Sequence, residues 1–231
     1  MAPQLPPFRG FGPDAMTFLE GLEADNSKAY FDAHRDLYSA QVALPLKQLV
    51  VSVGDRLAAE VTPAIDYEPK VGKSMFRINR DLRFSKDKTP YHPHLDVAWW
   101  QGDHAKSSPG FILRIRPDRV LTGVGVFALA DDRLNRFRAA IIGQPGTELD
   151  DIVTTVCANV RGAALSEPSR KRVPRGFDAD HPRSHYLLFD GLHVSASEQT
   201  PASITSARFV PWVTKRLARY ADLHRWLVDH T

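Results

Sequence analysis

The amino-acid sequence predicts an α+β protein in which helices at both ends of the chain flank a central antiparallel sheet, a meander of about four or more strands. Apolar residues recur at helical spacing near both ends of the chain. In the middle they alternate with polar residues, which is the pattern of a half-buried strand. The connections between the predicted strands are short and contain no helix, and this favours antiparallel pairing.

Length and composition favour a single domain over residues 1–231, with residues 1–11 as a flexible N-terminal tail. The chain has 231 residues, of which 43% are hydrophobic and 25% charged, as expected for a globular protein with a sizeable core. One cysteine, Cys157, excludes an intramolecular disulfide, and neither a secretory leader nor an apolar run of membrane-spanning length is found. We therefore expect a cytoplasmic protein without a membrane partner. The sequence does not indicate an oligomeric state.

Two helical stretches are predicted before the sheet. Pro13 suits the first position of a helix, and Ser27 is a favourable N-cap for a second, longer one. Apolar residues continue at helical spacing as far as Leu57, but Pro45 removes a backbone donor within this series. We therefore expect either one bent helix or two short ones.

Four strands are predicted in the middle of the chain. Alternation of apolar and polar residues indicates a first strand over 76–84, and a polar turn leads into a second strand over 91–99. Pro93 cannot donate a hydrogen bond to a neighbouring strand, so the second strand is expected either to be an edge or to enter the sheet irregularly. Two further strands are predicted over 110–116 and 120–128.

Helices are predicted again after the sheet. Asp131 or Asp132 caps one that ends at Gly143, and Thr147 caps another that ends before Gly162. An irregular stretch follows, and apolar residues at helical spacing then predict a last helix at the C-terminal end of the chain.

The most distinctive feature of the sequence is a concentration of positive charge between Lys70 and His94, which we call the basic segment. The whole chain has a net charge of +3, whereas this segment has seven basic residues against Asp81 and Asp87, a net charge of +5. Such a concentrated field attracts anions, while the charge of the whole chain says little about binding. We therefore expect a negatively charged partner. The seven basic residues are Lys70, Lys73, Arg77, Arg80, Arg83, Lys86 and Lys88.

Several motifs of the sequence resemble those of a known family. Residues 76–91 read FRINRDLRFSKDKTPY, residues 25–31 read DNSKAYF, and residues 174–182 read PRGFDADHP. These motifs are similar to the signature of domain-of-unknown-function family 2461, and the resemblance extends along most of the chain. It implies no particular reaction, because none is established for that family.

The chain departs from the family pattern at two places. Tyr30 stands where the pattern has tryptophan. After Tyr91 the pattern continues Lys-Thr-His, whereas this chain has His92, Pro93 and His94. Only His94 can therefore be carried over from the family.

Pairing the two predicted strands of the basic segment as a hairpin gives a hypothesis for an acid/base pair. Polar residues have odd numbers on the first strand and even numbers on the second. The two polar faces therefore coincide only if the numbers of facing residues add up to an odd number. One such register pairs Arg83 with His92 and Asp81 with His94. An aspartate beside a histidine fixes the tautomer of the ring and makes it a better base. Asp81 and His94 are therefore the predicted catalytic pair.

The basic side chains around this pair predict an anion-binding site. Arginine binds phosphate or carboxylate through two parallel hydrogen bonds, and lysine binds them as a point charge. We expect a phosphorylated or other anionic small molecule as the partner. The sequence leaves open whether the protein is an enzyme, and it indicates no cofactor. The predicted anion-binding residues are Arg77, Arg80, Arg83, Lys86 and Lys88.

Three alternatives involve the same residues. The basic face would also suit nucleic acid, bound through its phosphates. Interleaved arginines and aspartates would form a structural ion-pair lattice that needs no ligand. A metal site at His92, His94 and Asp96 has suitable ligand types, but the surrounding positive charge disfavours a cation, so no metal is predicted.

Overall fold

A computed structural model describes residues 5–83, 85–105 and 107–231 of the chain. The order of its helices and strands confirms the predicted α+β class. Its elements are α1 (Pro13–Ala24), α2 (Lys28–Ala33), α3 (Arg35–Leu37), α4 (Leu44–Glu60), β1 (Leu95–Trp100), β2 (Gly110–Ile115), β3 (Arg119–Gly125), α5 (Asp131–Ile142), α6 (Pro145–Asn159), β4 (Ala164–Leu165), β5 (His193–Gln199), α7 (Phe209–Leu217) and α8 (Ala221–His230). A π-helical stretch, Tyr38–Ala43, joins α3 to α4, and 3₁₀ turns cover Ser184–Leu188, Ala202–Thr205 and Ala218–Tyr220.

The strands form one antiparallel five-stranded sheet with the order β1-β2-β3-β5-β4. The two later strands of the predicted meander are confirmed as β2 and β3. The predicted second strand begins only at Leu95, because Pro93 interrupts the pairing before it. The predicted first strand is wrong for the described residues 76–83, which contain only one isolated bridge, from Asn79 to Tyr91, while Phe84 lies outside the described residues. Strands β4 and β5 were not predicted from the sequence.

The contacts of the chain divide it into two compact units, and the single-domain assignment remains a prediction. The first unit contains residues up to Trp99 together with Leu113–Leu121 and Glu198–Lys215. The second contains Trp100–Ile112, Thr122–Ser197 and Arg216–Thr231.

In the first unit, aromatic side chains of the N-terminal helices form much of the core. Phe18 of α1 and Phe31 of α2 are buried and contact each other edge to face. Phe8 and Phe11 are also buried, and the Phe8 N–H donates to Ser52 Oγ at 3.1 Å. The predicted flexible tail therefore does not extend over residues 8–11, because two buried aromatic rings hold the chain there.

The N-terminal helices begin where the sequence indicates. The Ser27 hydroxyl accepts a hydrogen bond from the Tyr30 N–H at 3.1 Å, so the predicted N-cap is confirmed. Pro45 does not kink a continuous α-helix. It lies in the first turn of α4, directly after the π-helical stretch.

In the second unit, helices α5, α6 and α8 pack together around apolar side chains. Phe137 of α5 and Trp226 of α8 are buried against each other, and Trp226 Nε1 donates to the Pro145 carbonyl at 2.9 Å. Arg183, which follows the DHP motif, donates from Nε to the Ile141 carbonyl at 2.8 Å and from Nη2 to the Gly143 carbonyl at 2.9 Å. This side chain satisfies carbonyls that the end of α5 leaves without a helical partner.

No helix within the described ranges combines the length and the apolar character needed to cross a lipid bilayer.

Candidate functional site

The backbone of the basic segment pairs with itself in a register that differs from the prediction. His92 N–H donates to the Ile78 carbonyl at 2.7 Å, whereas Phe76 N–H donates to the Asp96 carbonyl at 3.0 Å. Between these two bonds the chain advances four residues, from His92 to Asp96, on one side but only two residues on the other, as in a β-bulge. Pro93 lies within the longer side and has no N–H to continue the ladder. In both bonds the two residue numbers add up to an even number, whereas the predicted register requires an odd one. The predicted pairing of Arg83 with His92 and of Asp81 with His94 is therefore wrong.

Arg80 holds the loop that follows the paired residues. Its guanidinium donates to Asp87 Oδ2 at 2.5 Å and to the Thr89 carbonyl at 3.2 Å, and it also bonds the Thr89 hydroxyl. A fourth, longer bond reaches Ser85 Oγ at 3.4 Å. The backbone N–H of Thr89, followed by Arg80, lowers the pKa of Asp87 to about 2. Arg80, predicted to bind a ligand anion, thus has the carboxylate of Asp87 as its partner.

Arg83 has its partner two residues away. Its Nε lies 3.0 Å and its Nη2 2.7 Å from the two carboxylate oxygens of Asp81, and its backbone N–H donates to Oδ1 of Asp81 at 3.1 Å. These bonds lower the pKa of the exposed Asp81 carboxyl. The structure therefore joins Asp81 to Arg83 rather than to His94.

The remaining basic side chains of the loop region have no such partners. Arg77, Lys86 and Lys88 are exposed and form no ion pair with any of the described residues. Lys88 Nζ donates to the Leu82 carbonyl at 3.0 Å, which fixes the side chain without neutralising its charge. Both aspartates of the segment are already paired to its own arginines, so positive charge remains on this surface.

His94 forms its ion pair with an aspartate that the hairpin hypothesis did not use. Its Nε2 lies 3.4 Å from Asp96 Oδ2, and the imidazole side chain is only 11% exposed. Neither ring nitrogen makes a geometrically satisfactory hydrogen bond within the described chain. Arg114 of β2 donates two hydrogen bonds to the same carboxylate, from Nε to Oδ1 at 2.7 Å and from Nη2 to Oδ2 at 2.8 Å. Burial opposes ionisation of Asp96, but His94 and Arg114 together lower its pKa to about 2.

His92 lies beside this pair. The ring centroids of His92 and His94 are 4.9 Å apart. Burial lowers the pKa of His92, and the neighbouring His94 adds to that effect. Two imidazoles, a carboxylate and a guanidinium thus meet at the start of β1.

The same cluster is poorly suited to a metal ion. Both oxygens of Asp96 are engaged by Arg114. Among the residues that the structure describes, no group of three or more histidine, cysteine or acidic side chains is arranged to hold a metal.

Asn26 is a residue of the site that sequence reasoning assigned no role. Its side-chain amide forms two hydrogen bonds with the backbone of Tyr91, donating to the carbonyl at 3.0 Å and accepting from the N–H at 2.9 Å. The ring of Phe31 stacks on Tyr91 with centroids 4.5 Å apart. Asn26 and Tyr91 belong to two of the motifs noted in the sequence. The only property of Asn26 that could have indicated this role is that its side-chain amide can both donate to and accept from a peptide group.

Fold and site together define an α+β protein with an exposed basic loop beside a half-buried histidine and aspartate pair. The family model described as "Conserved hypothetical protein (DUF2461)" matches residues 14–226. The chain belongs to this family, as its motifs predict. None of the curated proteins compared with the chain matches it.

Proposed function

We propose that this protein binds a phosphorylated or other anionic small molecule on the basic segment, through Arg77, Lys86 and Lys88, in the cytoplasm. The observation that carries the proposal is the charge balance of the segment. Asp81 and Asp87 are each paired with an arginine of the segment, so neither is available to neutralise Arg77, Lys86 and Lys88. An anion with several oxygens would neutralise them together.

The loop also supports the proposal through its rigidity. Arg80 ties Ser85, Asp87 and Thr89 together, and Asn26 fixes the backbone at Tyr91. Side chains presented by a fixed loop lose less conformational freedom when they bind, and this increases affinity. The lone Cys157 is consistent with a reducing compartment.

His94 with Asp96 is the acid/base pair of this proposal, in place of His94 with Asp81. The Asp96 carboxylate lies 3.4 Å from the imidazole, and Arg114 keeps that carboxylate in position through two hydrogen bonds. If the bound anion is also a substrate, His94 is the group placed to transfer a proton. Asp81 would instead fix the orientation of Arg83.

The proposal is tested by a thermal-shift panel of phosphate, pyrophosphate, sugar phosphates, nucleotides, dicarboxylates and short nucleic acids, at two salt concentrations. The wild type is compared with the double variant Arg77→Ala/Lys86→Ala. Arg208→Ala/Lys215→Ala is the matched control, because it also removes two exposed charges from the first unit. Calorimetric titration then gives the dissociation constant of any compound that raises the melting temperature.

We expect one class of small anion to stabilise the wild type and the control, with affinity at least tenfold weaker in the double variant, since each charge-assisted hydrogen bond contributes about 1.5–3 kcal/mol. Equal loss of affinity in the control would contradict the proposed site. Binding to any DNA or RNA that weakens steeply with salt would indicate nucleic acid as the partner instead. A panel without any stabilising anion would leave the ion pairs as a purely structural feature.

A further inference from the structure

The second unit contains a cleft of about 420 Å³ between α6 and the segment that leads into α8. Two rows of α6 line it, each with residues four positions apart. Ile152 and Val156 of α6, with Val160 directly after the helix, form an apolar row, and a polar row that begins at Asp151 runs beside it. Arg219, just before α8, and Asp222, in the first turn of α8, complete the lining. The volume lies within the range of about 300–1,000 Å³ that is usual for small-molecule sites.

The walls of this cleft are fixed by packing beneath them. Leu149 and Val153 on α6 are buried, as are Leu223 and Leu227 on α8. Trp226 joins the two helices through its hydrogen bond to the Pro145 carbonyl at 2.9 Å. The cleft is therefore preformed, and a ligand would not have to separate the helices to enter it.

The cleft carries opposite charges that do not neutralise each other. Asp151 and Arg219 are both exposed, and neither forms an ion pair within the described part of the chain. The Asp222 carboxylate is already in an ion pair, since Arg225 Nη1 lies 3.2 Å from its Oδ1. The rim thus offers one free carboxylate and one free guanidinium above an apolar row.

We propose that this cleft binds a small zwitterion with an apolar body, such as an apolar amino acid. Asp151 binds its ammonium group, Arg219 binds its carboxylate through the guanidinium fork, and the aliphatic part packs on Ile152 and Val156. The proposed site lies wholly within the second unit and does not rest on the function proposed for the basic segment.

The test uses L-leucine and two analogues that each lack one charge, isopentylamine and 4-methylpentanoate. Binding to the full-length protein is measured by ligand-observed NMR and isothermal titration. The variants are Asp151→Asn and Arg219→Gln. Asp229→Asn and Arg161→Gln are the controls, because both residues are exposed, lie in the second unit and are absent from the cleft lining.

We expect leucine to bind the wild type with a millimolar or lower dissociation constant. Each analogue should bind the wild type at least tenfold more weakly than leucine does, and each cleft variant should bind leucine at least tenfold more weakly than the wild type does. The two controls should bind leucine as the wild type does. Undetectable leucine binding at about 10 mM overturns the proposal, since a site with Kd near 1 mM would then be about 90% occupied. Equal binding of either analogue, or unchanged binding in both cleft variants, overturns it as well.

Discussion

Replacing His224 with phenylalanine should remove much of the acid sensitivity of the fold. His224 lies on α8, is 2% exposed and stacks on Phe111 with ring centroids 4.6 Å apart. Burial lowers its pKa to about 4, although a hydrogen bond to the Pro109 carbonyl opposes the effect. Its Nε2 has no hydrogen-bond partner within the described residues. The ring is therefore held neutral at pH 7.

The sign and size of the effect follow from the two protonation equilibria. In the unfolded chain His224 binds a proton below about pH 6.5, whereas in the folded protein it does so only near pH 4. Between these values protons bind preferentially to the unfolded chain, so the free energy of unfolding falls as the pH is lowered from about 6.5 to 4. One pKa unit corresponds to about 1.4 kcal/mol, which gives a loss of about 3 kcal/mol from this residue at pH 4.

Urea unfolding of the wild type and His224→Phe at several pH values between 7 and 4 measures this directly. Other buried histidines, such as His92 and His193, also have lowered pKa values because of burial, but both proteins retain them and their contributions cancel in the difference. The difference in unfolding free energy between variant and wild type should change by about 3 kcal/mol in favour of the variant. Parallel curves over this range would refute the reasoning, whatever the stability of the variant at pH 7.

Three further changes test the basic segment and its neighbours. Arg80→Ala should destabilise the protein by about 1–2 kcal/mol in urea unfolding, because several hydrogen bonds to the loop are lost. Asn26→Ala should cost about 2 kcal/mol in the same assay, since both backbone groups of Tyr91 lose a partner. Asp96→Asn should remove a stability contribution of up to about 2 kcal/mol that the wild type retains above pH 4 and loses as the pH falls from 3.8 to about 2.

Each of these changes has a control or a contradicting outcome. Lys86→Ala removes a charge from the same loop without breaking any bond to a described residue, and it should leave stability within about 0.5 kcal/mol. Asn26→Asp retains the acceptor but not the donor, so it should fall between wild type and Asn26→Ala. A pH dependence of Asp96→Asn that matches the wild type below pH 4 would show that Arg114 and His94 do not lower the pKa of this carboxyl.

Much of the fold could be predicted from local patterns. The helix starts at Pro13 and Ser27 and the stop at Gly143 depend on backbone requirements that one or two residues reveal. Strands β2 and β3 were predictable because their apolar runs are interrupted by a clear turn. Strand β5 was not, because its sequence HVSASEQ contains small and polar residues that a strand tolerates but does not require.

The candidate site could be located from the sequence, but its pairings could not. Alternation of apolar and polar residues over 76–84 suggested a strand, and the hairpin hypothesis assumed that the polar faces of the two strands coincide. The observed pairing has an even sum on both sides of Pro93, so it does not bring Asp81 opposite His94, and His94 has Asp96 as its neighbour two residues along the same stretch. Interactions such as Asn26 with Tyr91 join residues 65 positions apart, and no local pattern indicates them.

The family signature contains residues with two different tasks. Arg80 and Asp87 form a hydrogen-bonded loop whose geometry needs a fork of donors and a carboxylate, and this explains their presence without any ligand. Arg77 and Lys86 contribute nothing comparable to the fold within the described residues, so stability does not explain them. If the segment were only an ion-pair lattice, its acidic residues should balance its basic ones, yet it retains a net charge of +5. The excess charge, rather than the arginines as a group, is therefore the basis of the proposed anion site, and variants of Arg80 should affect stability whereas variants of Arg77 and Lys86 should affect binding.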